Sequence, residues 1–203
     1  MHTEHLKEFG WLKLSGISLD QYELIATSLG TVINRADVTV KANSKALTTS
    51  DKELGVHTDH HRAQIAGLFC VTQASEGGIT FLIDGRKVVS TLDVATVETL
   101  RTVKLREHRV FPDDPDEWTL LTGPMHSPSI YYSFWLVKEE MSEVQRMAVR
   151  LFHKAVMSAD RISIRLEPGE AVFFVNDWML HGRTKIEGDK NRLLKRVWIS
   201  CPQ

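Results

Sequence analysis

Apolar segments of strand length, each cut off from the next by turn residues, set the limits on what this chain can fold into. From Val56 onward "IAGLFCVTQ", "ITFLID", "SIYYSFWLV", "RISIR", "AVFFV" and "RLLKRVWIS" follow one another, with "ASEGG", "EPGE" and other polar clusters between them. Short apolar runs bounded by Gly, Pro, Asn, Asp and Ser read as strands. "SIYYSFWLV" alternates as a strand, and the C-terminal third reads strand, turn, strand, loop, strand, with "NDWMLHGR" as the loop.

Helical signals are fewer. Ser18, with Gln21 three residues on, forms a capping box for a helix ending at Gly30, with Tyr22, Ile25, Ala26 and Leu29 on its apolar side. Ser142 and Gln145 repeat the pattern and open a helix with Val144, Met147, Ala148, Leu151, Phe152 and Ala155 on one side. Ser90 to Val103 has helical spacing at Leu92, Val97 and Leu100. Phe9 to Leu14 and Val38 to Val40 read as short strands, while "KANSKALTTSDKELG" and Phe111 to Pro128 read as loops. Many short strands, with the few helices early and between them, predict a mainly β fold with flanking helices. The expected architecture is a double-stranded β-helix, the two-sheet jelly roll of cupin type.

The 203 residues are read as one domain, 1–203, long enough to bury roughly 70 % of the unfolded surface. A net charge of −1 points away from nucleic acid and anionic membranes as partners. Two cysteines are too few for a disulfide framework and fit a reducing compartment. No apolar run approaches the ~18 residues of a membrane span, and "MHTEHLKEFG" lacks the features of a signal peptide. The expectation is a cytoplasmic protein acting on a small molecule, with its oligomeric state open.

Three side chains able to hold a metal stand far apart: His57 and Asp59 in "GVHTDHH", and His181 in "NDWMLHGR". Two histidines and one carboxylate on one face of an iron(II) ion leave positions open for a co-substrate and dioxygen. His57 and Asp59 precede a long apolar strand, so period-2 geometry points both side chains to one side. Further on, Arg192, Leu194, Arg196 and Trp198 share one face of a strand. Leu194 and Trp198 mark that face as inward, and arginines facing a core need anions. A bound carboxylate satisfies a guanidinium by bidentate pairing.

Five segments in this order, "HTD" at 57–59, "GGIT" at 77–80, "LEPGEAVFFVND" at 166–177, "LHGR" at 180–183 and "RLLKRVWI" at 192–199, resemble the taurine dioxygenase and clavaminate synthase type of iron(II)/2-oxoglutarate-dependent oxygenase. The resemblance runs from about residue 9 to the end of the chain. It implies that His57, Asp59 and His181 bind Fe(II), that Thr80 and Arg192 hold the distal carboxylate of 2-oxoglutarate, and that O2 is consumed. It implies oxidation, foremost hydroxylation, of a small molecule such as an amino acid or biosynthetic intermediate, with release of succinate and CO2. Halogenating relatives carry a small residue where Asp59 stands, so hydroxylation or desaturation is favoured here. Arg196, Arg62, Arg183 and Tyr131 are the candidate substrate contacts, with His126, Tyr132 and Trp135 more readily read as core or loop. The chain is shorter than many members of that family, which implies a reduced lid and a more open mouth, wide enough for a carrier-tethered substrate.

Two other readings compete. One is a non-catalytic metal-binding module of cupin type, for which the arginine pair and "GGIT" have no use. The other is a zinc hydrolase, because "HTDH" resembles the end of the His-x-His-x-Asp-His motif of the metallo-β-lactamase-like enzymes. Gly55 stands where that motif needs its first histidine.

Overall fold

In the computed structural model, which describes residues 2–41, 44 and 46–201, a five-stranded and a four-stranded sheet face each other. Their strands are β1 (Trp11–Leu14), β2 (Thr31–Thr39), β3 (Leu54–His57), β4 (Ile65–Thr72), β5 (Thr80–Asp84), β6 (Ile162–Ile164), β7 (Ala171–Val175), β8 (Met179–Arg183) and β9 (Leu193–Ser200). The larger sheet runs β1-β7-β4-β9-β2 and the smaller β6-β5-β8-β3, with every pair antiparallel. Helices α1 (His2–Phe9), α2 (Leu19–Leu29), α3 (Gly85–Ser90), α4 (Val94–Leu100) and α5 (Glu143–Ser158) flank them. This is the double-stranded β-helix that the strand pattern predicts.

The larger sheet is covered on both faces, so β4 and β7 read as nearly continuous apolar runs. Ile65, Phe69, Ala171, Phe173, Val197 and Ile199 pack outward against Tyr22, Ala26 and Leu29 of α2. Ala66, Cys70, Val172, Phe174, Leu194 and Trp198 point inward to meet Leu82 of the smaller sheet. Phe81, Ile83 and Leu180 on the far face of the smaller sheet lie under Val97 and Leu100 of α4 and Ala148, Phe152 and Val156 of α5. Gly67 marks the tightest packing under α2: a Cβ there would stand 2.7 Å from the Phe173 ring and 2.9 Å from the Tyr22 hydroxyl.

Both capping boxes form. Ser18 Oγ accepts the Gln21 N–H at 3.2 Å while Gln21 Oε1 accepts the Ser18 N–H at 2.8 Å, and Ser142 with Gln145 does the same. On α5, Ala148, Val149, Phe152 and Val156 are buried, whereas Val144, Met147 and Leu151 are exposed, so the helix is turned from the face its sequence suggests. The helix expected over Ser90 to Val103 is broken by Asp93, whose carboxylate takes the Thr96 N–H at 2.8 Å and starts α4 afresh. The strand expected at Val38 to Val40 is the end of the nine-residue β2, an edge strand whose polar Asn34, Arg35 and Asp37 hid its length. Of "KANSKALTTSDKELG", Ala42, Asn43 and Lys45 lie outside the described residues, and Leu47–Thr49 is one 3-10 turn.

Two expectations are corrected. "SIYYSFWLV" is not one strand: Ser129–Ile130 forms a two-residue strand, Ser133 makes a single bridge to His57, and Phe134–Leu136 is a 3-10 turn. Its backbone is captured instead by the site loop, with Thr58 N–H donating to Tyr132 O at 2.8 Å and Tyr132 N–H donating to Thr58 Oγ1 at 2.9 Å. The His181 segment is not a loop but β8, because β5 and β3 supply ladder partners on both sides. Among the described residues no helix is long and apolar enough to cross a membrane, and Cys70 and Cys201 are free thiols.

The turn between β7 and β8 carries a stability prediction. Burial pushes the Asp177 carboxyl up to about 6, whereas in an unfolded chain it ionises near ~4. Below about pH 4 the group is protonated in both states and costs nothing; between about 4 and 6 the unfolded chain gains by ionising first, and above 6 the whole cost is present. Asp177→Asn is therefore expected to raise Tm by about 6 °C at pH 7.5 and by far less at pH 4. An equal gain at both pH values would show that the carboxyl charge is not the cause.

Candidate metal centre and its cavities

His57 ends β3 and His181 stands in the middle of β8, and the antiparallel register sets the two directly opposite. Their ring centroids are 4.2 Å apart. Asp59 follows on the turn after β3, where Asn176 Oδ1 accepts its backbone N–H at 2.7 Å. The same amide donates from Nδ2 to the Ala63 carbonyl at 2.8 Å, so the turn is pinned at both ends. Asp59 Oδ1 lies 3.9 Å from His57 Nε2 and Oδ2 lies 3.8 Å from His181 Nε2. All three residues are buried, and their ligand atoms lie within 4.8 Å of one another.

The electrostatics suit a cation. The Gly55 carbonyl lies 2.9 Å from His57 Nδ1, an arrangement that puts the proton there and leaves the Nε2 lone pair facing Asp59. Burial lowers both imidazoles below their ordinary pKa, His181 to about 3, so both are neutral. Burial alone would raise the Asp59 carboxyl, but Arg196, His181, His57 and the Trp198 N–H together hold it below the usual carboxylate range. Trp198 Nε1 donates to Asp59 Oδ2 at 2.7 Å and Arg196 Nη1 approaches Oδ1 at 3.5 Å. Two neutral imidazoles and one ionised carboxylate converging in a buried space are a donor set that fits a first-row divalent metal with open positions. The buried His181 Nδ1 has no hydrogen-bond partner, so the ring is not tied up in a protein network that would compete with a metal.

Two cavities meet at this point. The narrow one, with room of about 50 Å3 for water-sized molecules, has Thr80, Phe174, Arg183, Arg192 and Leu194 in its wall. The wider one, about 280 Å3, is lined among others by Asp37, His60, His108, Trp135 and Trp198, and both share His57, Asp59 and Arg196. Arg192 is 3 % exposed, and its one protein acceptor among the described residues is Gln73 Oε1, 3.2 Å from Nε. Burial and the nearby Arg183 lower its guanidinium to about 10, still cationic at neutral pH. Gly78 of "GGIT", at φ +65°, lies so close that a Cβ would stand 3.3 Å from Arg192 Nε. The Thr80 hydroxyl has no protein partner among the described residues and lines the same cavity.

The other sequence candidates part company. Arg196 reaches both cavities and lies over the Trp198 ring at 4.3 Å, its Nε buried without a partner. Arg183 lines the narrow cavity, but its Nη2 donates to the Ser50 and Lys52 carbonyls at 2.9 and 2.6 Å, which ties it to the loop before β3. Arg62 is drawn away to Asp113 and Asp114 at 3.0 and 3.1 Å. Tyr131 sits in the core with its hydroxyl donating to Glu107 Oε1 at 2.8 Å, outside both cavities. Tyr132 is core as expected, His126 is exposed and outside both cavities, and Trp135 lines the wider cavity 5.3 Å from the His57 ring. Sequence reasoning missed Asn176 and Gln73, whose amides look like ordinary polar residues at strand ends.

The Trp198 indole braces the Asp59 carboxylate. Trp198→Phe keeps the packing against Leu194 and Phe174 but removes the 2.7 Å bond, and a metal ligand deprived of its supporting donor typically loses about 10- to 100-fold in metal affinity. That loss is expected in an iron(II) titration of the variant; unchanged affinity would reduce Trp198 to a packing residue.

A jelly roll that gathers two histidines and an aspartate between its sheets, beside a buried guanidinium, has the architecture of a non-haem iron(II) dioxygenase. The chain matches the profile of the taurine catabolism dioxygenase TauD, TfdA family over residues 3–198, and it belongs to that family. No curated protein matches the sequence. Among solved structures, an asparagine oxygenase complexed with Fe(II), 3-hydroxyasparagine and succinate superposes with a TM-score of 0.81 at 17 % identity, covering 98 % of this chain and 79 % of the other. The non-haem iron oxygenase OrfP, complexed with Fe and α-ketoglutaric acid, gives 0.78 at 18 % identity, covering 99 % and 80 %. At such identities the likeness is one of fold.

Proposed function

We propose that this dioxygenase uses iron(II), 2-oxoglutarate and O2 to hydroxylate a C–H bond of a small zwitterion of the amino-acid type. The observation that carries the reading is the buried Arg192, a cation with no anion paired to it among the described residues, in the wall of a cavity that His57, Asp59 and His181 also line. An uncompensated guanidinium is costly to bury, and a dicarboxylate co-substrate supplies its missing partner. A structural metal site needs neither the cavity nor that charge.

His57, Asp59 and His181 would hold the iron, which when bound supplies the activation of O2 coupled to oxidative decarboxylation of the co-substrate. Arg192 and Thr80 bind the distal carboxylate and thereby aim the 2-oxo acid end at the metal. Trp198 fixes the Asp59 carboxylate and Asn176 its backbone N–H, and Phe174, 4.6 Å from the His181 ring, keeps that side dry. The wider cavity takes the substrate. Arg196, with its unpaired Nε, faces a substrate carboxylate. Support for an amino acid also comes from the similar oxygenases, which hold hydroxyasparagine and hydroxyarginine.

The test needs no substrate at first. Anaerobic iron(II) followed by 2-oxoglutarate should give a saturable visible charge-transfer band, lost in His181→Ala. Amino acids are then screened for substrate-dependent succinate release. A folded, iron-loaded protein that shows no band would overturn the co-substrate assignment; a band with no amino acid turned over would overturn the substrate class alone.

A further inference from the structure

Immediately after the ligand Asp59, a second group of ligating side chains is buried away from the narrow cavity. His60, Glu107 and Asp114 have fully buried side chains and that of His61 is 8 % exposed. His60 Nε2 lies 3.0 Å from Asp114 Oδ2 and 3.6 Å from Glu107 Oε1, and His61 Nδ1 lies 2.7 Å from Glu107 Oε2. The ligand atoms of His60, His61 and Glu107 lie within 4.8 Å of one another. Glu107 and Asp114 set two buried carboxylates against the two imidazoles. Their cation is Arg62, whose side chain is 32 % exposed and shared with Asp113. Asp114 Oδ1, though 3.1 Å from Arg62 Nε, is buried without a hydrogen bond.

We propose that His60, His61, Glu107 and Asp114 form a second metal site, for a divalent cation of the zinc type. Two imidazoles and two carboxylates are a donor set that zinc takes, with His60, His61 and Glu107 at its centre and Asp114 beside His60. Backbone donors already orient the carboxylates: the His108 N–H reaches Glu107 Oε1 at 2.9 Å, and the Val110 and Phe111 N–H groups reach Asp114 Oδ2 at 2.8 and 2.6 Å. The Tyr131 hydroxyl adds a further donor to Glu107. Such a second layer is what holds metal ligands in place. Without metal, the Arg62 N–H donates to His60 Nδ1 at 3.2 Å, so the ring proton sits on Nε2 and points to Asp114. Metal binding at Nε2 moves that proton to Nδ1 at the expense of this long contact.

The consequence reaches the substrate side. His60, His108 and Val110 line the wider cavity, so a metal tying the 60–61 turn to the 107–114 loop stiffens that wall. The site is independent of the iron triad, and the two are separable by experiment. Protein first loaded anaerobically with iron(II) and 2-oxoglutarate is titrated with zinc against a chromophoric chelator. The expected result is one tightly held zinc per chain with the charge-transfer band intact and Tm raised by several degrees. Glu107→Gln and His61→Ala should each lose that zinc while keeping the band. No tight zinc in the loaded wild type, zinc that binds only as the band disappears, or undiminished zinc in a folded variant would overturn the proposal. The wild-type stoichiometry decides even if a variant fails to fold, and absence of the band itself bears on the iron reading, not on this site.

Discussion

Arg192→Ala is expected to raise the dissociation constant of 2-oxoglutarate about 100-fold while leaving iron(II) binding unchanged. The charge-assisted, bidentate pairing of guanidinium and carboxylate contributes about 1.5–3 kcal/mol, and a hundredfold corresponds to about 2.7 kcal/mol. The band titration reads it directly: the same amplitude at saturation, reached at far higher co-substrate concentration. A second readout separates this role from a structural one. In the wild type without co-substrate Arg192 is 3 % exposed with Gln73 as the one polar partner of its guanidinium among the described residues, so its charge is a burden on the folded state. Replacing it with a methionine of similar length should therefore raise Tm in the absence of 2-oxoglutarate and abolish the further rise that 2-oxoglutarate gives the wild type. A less stable Arg192→Met variant with normal co-substrate affinity would mean that the guanidinium is a packing element.

Asp59→Ala is expected to bring coupled turnover down at least about 1,000-fold, the scale of losing a group on which the reacting centre depends. The loss has two parts. A ligand is gone, so iron(II) affinity falls; and Trp198 Nε1 and Arg196 Nη1 lose the carboxylate they approach at 2.7 and 3.5 Å, leaving a cation beside two neutral imidazoles. Asp59→Asn keeps the shape but not the charge and should restore folding stability more than activity. Succinate release in the alanine variant within tenfold of wild type would remove Asp59 from the centre.

Much of this was legible in the chain. The strand face that carries Arg192, Leu194, Arg196 and Trp198 is inward as alternation requires, with Val197 and Ile199 packed on the opposite side under α2. Both capping boxes mark true helix starts, because the Ser and Gln involved bond within four residues. Where the reading failed, a distant partner overrode a local pattern. "SIYYSFWLV" alternates, yet Thr58 and Glu107 take up Tyr132 and Tyr131 before a ladder can form. His60 and His61 stand in the polar stretch "HTDHHR", yet they pair with carboxylates 54 and 46 residues away, on Asp114 and Glu107.

The sequence by itself determined which elements form and which residue types could do chemistry, since periodicity, caps and turn residues act over a few neighbours. Only the tertiary structure decided which of nine histidines meet one another. The register of β3 on β8 set His57 against His181, the β7–β8 turn placed Asn176 under Asp59, and the packing of two sheets left Arg192 facing an empty space instead of a carboxylate. Those are long-range pairings, fixed by which apolar faces bury together and not by any local preference of the residues that use them.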